Sequence, residues 1–279
     1  MTLNIADRWS KSHKLNRFRT ALYASLRPCP SPRVAFIFGC QRSGTTLLRD
    51  FIGLDHRFRD IGEGDPPYFH QEAGERYLRL VEDSEVEALV KQQSSQWVLL
   101  KPLHDSQRAV ELLERFDNSR GIWIFRHYDS VVQSHLGYYQ HDPMDYLEPL
   151  RRVHINSWML SGLEHQSLEH IRHLLSLADT SIPDLYAIFW YARNALLFQH
   201  LKRANLLVVS YESLVATPHQ CLQAFNKHLG VGLSTKALLV PMQRRPNAPA
   251  LSKLTPEVEH ACNLMLQKLS FLSNQSKTP

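Results

Sequence analysis

Residues 34–48 read Val34-Ala-Phe-Ile-Phe-Gly39-Cys-Gln41-Arg42-Ser43-Gly44-Thr45-Thr46-Leu-Leu48. The apolar opening, rich in β-branched and aromatic residues, predicts a strand buried on both faces of a parallel sheet. Gly39 and Gly44 bracket a tight turn. From Ser43 onward the pattern turns helical, with Leu47, Leu48, Phe51, Ile52 and Leu54 available to face the sheet. Strand, turn and helix N-terminus in this order make an anion cradle, because free backbone N–H groups point at the ligand and the helix dipole favours negative charge.

The frame Gly39-x-x-x-x-Gly44 resembles a Walker A loop, yet Thr45 stands where an NTPase has its lysine. The cation lies inside the loop, at Arg42. Without a lysine reaching the β- and γ-phosphates, ATP hydrolysis is disfavoured. A strand, then Gln41 to Thr46, then a helix instead resembles the 5′-phosphosulfate loop of sulfotransferases, whose donor is 3′-phosphoadenosine 5′-phosphosulfate (PAPS). That resemblance implies that Gln41, Arg42, Ser43, Gly44, Thr45 and Thr46 hold the donor. It also implies a three-layer α/β/α fold like that of P-loop NTPases, with a parallel sheet of about five strands.

Composition agrees with a globular α/β enzyme. The 279 residues are 43% hydrophobic and 21% charged, with a formal charge of +5 and a pI near 9.0. This charge suits an anionic ligand but is too small to argue for nucleic acid. Four scattered cysteines, Cys29, Cys40, Cys221 and Cys262, form no C-x-x-C pair, so neither a metal site nor a disulfide framework is expected. With no run of about 20 apolar residues and no signal-peptide core, a cytoplasmic protein is expected.

Residues 1–33 form a basic arm ahead of a single domain at 34–279, with a helical insertion at about 135–182. In the arm, Trp9, Leu15, Phe18, Leu22 and Leu26 fall near helical spacing among arginines and lysines. An amphipathic helix packing on its own domain is the first expectation; a membrane surface or a partner is the alternative.

Arg59 to Pro67 reads as a loop after a short strand at Phe58–Ile61, a usual place for chemistry in α/β proteins. Glu63 follows Arg42 by 21 residues. This is the separation between loop arginine and catalytic glutamate in protein-tyrosine sulfotransferases and many bacterial relatives. The resemblance makes Glu63 the general base, with Asp65 as competitor. Residues 70–93 read as a polar helix. A strand then ends at Lys101, matching the lysine that contacts the transferred sulfonate; His104 is the rival base. Asp105 or Ser106 is placed to cap a helix running through Phe116.

A second signal lies at Gly121 to Ser134: an apolar strand ends at Arg126, and a helix begins near Asp129. Ser134 follows Arg126 by eight residues, the family's spacing for binding the nucleotide 3′-phosphate. Twelve residues after Arg126, tyrosine-specific relatives carry another arginine, and Tyr138 stands there instead. Leu150 to Leu177 reads as a long helix, continuous or broken, forming one wall of the acceptor pocket. His135, His141, His154, His165, His170 and His173 are not spaced as a compact metal site, and no metal is expected. Pro183 to Ala204 reads as an apolar helix, Thr217 to Leu229 as a capped one ended by Gly230, and Pro256 to Leu269 as the last. Tyr211, in a Tyr-Glu-x-Leu segment after a strand, resembles the family's adenine-side tyrosine. Lys253, in Ala-Leu-Ser-Lys, resembles its closing phosphate contact, with Arg244 and Arg245 as weaker additions.

Together these segments imply a PAPS-dependent sulfotransferase. Glu63 deprotonates a hydroxyl or amine of a small-molecule acceptor, and Arg42 and Lys101 neutralise charge on the departing bisphosphate nucleotide (PAP). A P-loop kinase and a non-catalytic nucleotide-binding module are the alternatives.

Overall fold

The structure, a computed structural model, describes residues 18–63, 65–71, 77–138, 143–177, 181–200, 205–235, 238 and 253–275. Helix α1 (18–26) leads into β1 (Arg33–Gly39). The chain continues through α2 (Thr45–Gly53), β2 (Phe58–Ile61), the short strands β3 (Phe69–Gln71) and β4 (Leu78–Leu80), α3 (Asp83–Lys91) and β5 (Trp97–Leu100). A 3-10 turn (Leu103–Arg108) runs into α4 (Ala109–Arg115), followed by β6 (Arg120–Phe125), α5 (Tyr128–Tyr138), α6 (Pro143–Arg151) and α7 (His165–Leu177). Next come α8 (Ile182–His200), β7 (Leu206–Ser210), α9 (Tyr211–Ala216), α10 (Pro218–Leu229) and α11 (Pro256–Gln275).

The expected sheet is present: five parallel strands in the order β2-β5-β1-β6-β7. Along β1 the side chains alternate between two cores. Val34, Phe36 and Phe38 face one layer, Ala35 and Ile37 the other. Leu48, Phe51 and Ile52 of α2, with Cys221, Leu222 and Phe225 of α10, cover one face. On the other face lies α8, buried along Leu185 to Trp190 and enclosed by α5, α6, α7 and α11. A helix apolar all round is what such a sandwiched position requires.

The chain leaves β1 toward β2 on one side and later reaches β6 and β7 on the other. Strand β1 therefore stands where the order reverses, the place at which open α/β sheets form a ligand crevice.

Two expectations are corrected and a third is resolved. The polar helix over 70–93 is instead the antiparallel β3–β4 ribbon followed by α3. Of the two alternatives for Leu150 to Leu177 the broken one is present: α6 ends at Arg151, and turns with Val153 and Gly162 at positive φ intervene before α7. Asp105 caps no helix; its carboxylate accepts from Arg79 Nε at 3.0 Å and from the Leu80 N–H at 3.0 Å, binding the ribbon to the 3-10 turn. Thr217 stands at the start of α10 without a side-chain cap bond, while Gly230 ends that helix in the left-handed conformation as expected. No helix among the described residues is long and apolar enough to cross a membrane.

Candidate active site

Every strand of the five-stranded sheet ends one or two residues before a group that lines a single cavity of about 490 Å3, Tyr211 following β7 at once. The loop after β1 supplies Gln41, Arg42, Gly44, Thr45 and Thr46; the loops after β2, β5 and β6 supply Glu63, Lys101 with His104, and Arg126. Ser134 and Tyr138 reach in from α5.

The loop takes its shape from two glycines. A Cβ on Gly39 (φ 139°) would lie 2.3 Å from the Ile124 carbonyl oxygen, and one on Gly44 (φ 89°) would lie 2.3 Å from Cδ2 of Tyr211. Only glycine allows these approaches. No side chain caps α2, so its first N–H groups are left for an anion at the cavity floor. Arg42 is itself left-handed, at φ 66°.

Arg42 crosses the cavity. Its Nε donates to Ser134 Oγ at 3.0 Å, and its guanidinium lies 4.2 Å from the Tyr138 ring centre. This contact joins the two segments that sequence alone left 92 residues apart. Arg126 lies 4.5 Å over the Tyr211 ring, the same ring that packs on Gly44. Its backbone oxygen accepts from Trp190 Nε1 at 2.9 Å, and Glu212 accepts from the next N–H, that of His127, at 3.0 Å. The arginine is thus aimed from both sides.

Glu63 Oε2 accepts from Lys101 Nζ at 2.7 Å. Asp65 is not among the residues lining the cavity; its Oδ2 accepts from the Gly62 N–H at 2.7 Å, closing the turn that presents Glu63. Arg49 of α2 backs this turn; a Cβ on Gly62 would lie 2.8 Å from Arg49 Nη1. His104 is held between the rings of Tyr77, stacked at 4.9 Å, and Trp158, edge-on at 4.6 Å. Its Nδ1 lies 3.2 Å from the Leu78 carbonyl oxygen, which can only accept, so Nδ1 carries the proton and Nε2 is an acceptor. Burial, aided by the positive field of Arg193, pushes its pKa down to about 3. Behind the loop, burial does the same to His135, also to about 3, with Arg42 adding to the effect.

Ser43 and Lys253 are not brought to the cavity. Ser43 is fully buried inside the loop. Lys253 is exposed; two residues on, Thr255 is pinned to Asp184 at the start of α8, with N–H and Oγ1 both donating at 2.9 Å. Arg244, Arg245 and His141 lie outside the described residues. Burial pushes the Cys40 thiol up to about 12, so it stays protonated. All four cysteines are free, and no cluster with metal-ligand character occurs among the described residues.

One important residue was not anticipated. Arg193, fully buried on α8, donates to the Trp158 carbonyl at 2.6 Å and the Leu103 carbonyl at 2.9 Å. It thereby ties the wall around His104 together. An arginine within the otherwise apolar stretch Phe189-Trp-Tyr-Ala-Arg193 was the available signal.

Two polar groups fit the donor that the loop implies. The Gln41 amide and Arg126 Nε are buried with no hydrogen-bond partner among the described residues, as expected of groups kept for a polar ligand.

The cradle, the strand order and the converging cations give an α/β protein with a cation-lined cavity at the carboxyl ends of its strands. No protein-family model and no curated sequence matches the chain. Solved structures narrow the class to the sulfotransferase fold. The sulfotransferase domain of the Synechococcus PCC 7002 olefin synthase is similar at 17% identity, covering 86% of this chain and 97% of that domain, with a TM-score of 0.51. The sulfotransferase domain of the curacin biosynthetic pathway is similar at 16% identity, covering 85% of this chain and 99% of that domain, with a TM-score of 0.50.

Proposed function

We propose that this chain moves a sulfonate group from PAPS to a hydroxyl or amine of a small-molecule acceptor. The observation that carries this reading is the 3.0 Å contact between Arg42 Nε and Ser134 Oγ, which unites the loop and the Arg126/Ser134 segment in one cavity. The donor supplies the sulfonate. The α2 N-terminus, Arg42, Thr45 and Thr46 bind its 5′ side; Arg126 and Ser134 bind its 3′-phosphate, the arginine through its planar fork. Tyr211 supports Arg126 and borders the base.

Glu63 takes the proton from the acceptor. Lys101, paired with it at 2.7 Å, fixes its orientation and is positioned to neutralise charge on the transferred group. The fixed cations Arg42, Lys101 and Arg126 supply the neutralisation that a kinase draws from Mg2+. His104, neutral at physiological pH, serves as a hydrogen-bond acceptor beside the acceptor's entry, and is the base if Glu63 is not. Four free cysteines favour a cytoplasmic setting.

Calorimetry with PAP and ATP, each with and without Mg2+, tests the donor. PAP should bind without metal and ATP more weakly; Mg2+-dependent ATP binding in preference to PAP would overturn the reading in favour of a kinase. Incubation with labelled PAPS and a metabolite extract then identifies the acceptor.

A further inference from the structure

The side of α1 turned away from the domain is apolar. Phe18, Leu22 and Leu26 are 66%, 50% and 74% exposed. Residues spaced by four lie on one helix face, so these three form a continuous stripe with Ala21 beside it. The opposite ridge holds the helix to the domain. Thr20 and Ala24 are buried, Thr20 Oγ1 donates to the Phe58 carbonyl at 3.4 Å, and the Tyr23 hydroxyl accepts from Gln96 at 3.3 Å. The expected packing on the domain is therefore present, and it consumes only the less apolar half of the helix.

Charge identifies what covers the other half. Residues 1–33 hold Arg8, Lys11, Lys14, Arg17, Arg19, Arg27 and Arg33 against Asp7 alone. With a total of +5, the positive excess of the chain lies wholly in this segment, and the remainder is close to neutral. An exposed apolar stripe on a helix inside a basic segment is the pattern of an interfacial anchor.

We infer that α1 docks this protein on an anionic lipid surface, with Phe18, Leu22 and Leu26 entering the headgroup boundary and the net positive charge of residues 1–33 supplying the attraction to the lipid. The geometry leaves catalysis free. Helix α1 packs at Phe58 and Gln96, the amino ends of β2 and β5, whereas the cavity opens at their carboxyl ends.

The test floats the full chain with vesicles of phosphatidylcholine alone or mixed with phosphatidylserine. Binding should be at least about tenfold tighter with phosphatidylserine and should weaken as salt rises. Leu22→Ser/Leu26→Ser should lower binding to the phosphatidylcholine level without changing circular dichroism or PAP binding, since both side chains are exposed. Arg19→Gln/Arg27→Gln should reduce the preference for phosphatidylserine. Equal binding to both vesicles, no binding, or undiminished binding of the leucine variant overturns the inference. So does light scattering that finds a dimer which the leucine variant turns into a monomer, because the stripe is then a self-interface.

Discussion

Lys101 Nζ and Glu63 Oε2 lie 2.7 Å apart, at the carboxyl ends of neighbouring strands. The lysine side chain is 7% exposed and the glutamate 24%, so water screens the pair poorly. Glu63→Gln keeps the shape and removes the base. Turnover should fall by about 10²–10⁴-fold while PAP affinity, by calorimetry, stays nearly unchanged. Unimpaired turnover would transfer the role to His104. Because the two groups touch, Glu63→Gln/Lys101→Met should cost less than the sum of the single changes.

Arg126→Ala and Ser134→Ala should each weaken PAP binding. A hydrogen bond to a charged group is worth about 1.5–3 kcal/mol, or roughly ten- to a hundredfold in affinity. The two effects should shrink together when adenosine 5′-phosphosulfate, which lacks the 3′-phosphate, replaces PAP in competition binding.

Tyr138 should tune Arg42 more gently. Loss of the ring in Tyr138→Ala removes a cation–π contact worth about 0.5–1 kcal/mol at an exposed site, so a several-fold rise in donor KM is expected. Tyr138→Phe keeps the ring face and should behave as the parent does.

Gly44→Ala should be far more damaging than its size suggests. The methyl would meet Tyr211 at 2.3 Å in a left-handed backbone, and the ring it displaces also carries Arg126. Nucleotide binding should be lost in titrations even where the fold survives. Gly44→Ala/Tyr211→Ala relieves the clash and should recover thermal stability but not affinity.

Acidification should destabilise the protein in a defined window. Burial lowers His104 and His135 to about 3 and His228 to about 4, all below the ordinary 6.5. The unfolded chain thus binds more protons than the folded one between these values, so stability is fully present above about pH 6.5 and is lost as pH falls toward 3–4. Each histidine adds up to about 1.4 kcal/mol per pH unit to the slope. Urea melts from pH 7 to 5 should show it. His228→Gln, which can still donate to the Gly121 carbonyl, should flatten it.

The part of the site legible in the sequence is the part whose chemistry is local. The loop from Gly39 to Thr46 writes its glycines, hydroxyls and cation into eight consecutive residues. Arg126 and Ser134 are readable because strand end and helix fix their separation. The β3–β4 ribbon was missed because each strand has three residues, too few to establish an alternating pattern. The break after α6 could be left open but not placed, because Val153 adopts φ 51°, which no β-branched side chain advertises. Motif spacing could not show where Lys253 stands, because the neighbouring Thr255 is held by Asp184, a long-range partner.

Arg193 carries a consequence for anyone who would alter what this protein accepts. The turns between α6 and α7 look like an interchangeable loop, and swapping such loops is a usual route to new substrates. Here the loop's Trp158 carbonyl helps satisfy a fully buried guanidinium whose other direct partners, the Leu103 carbonyl and the Gln107 side-chain oxygen, are also neutral. A transplanted segment without a carbonyl at that point would strand the charge. Residues 152–164, Gln107 and Arg193 should be exchanged as one cassette.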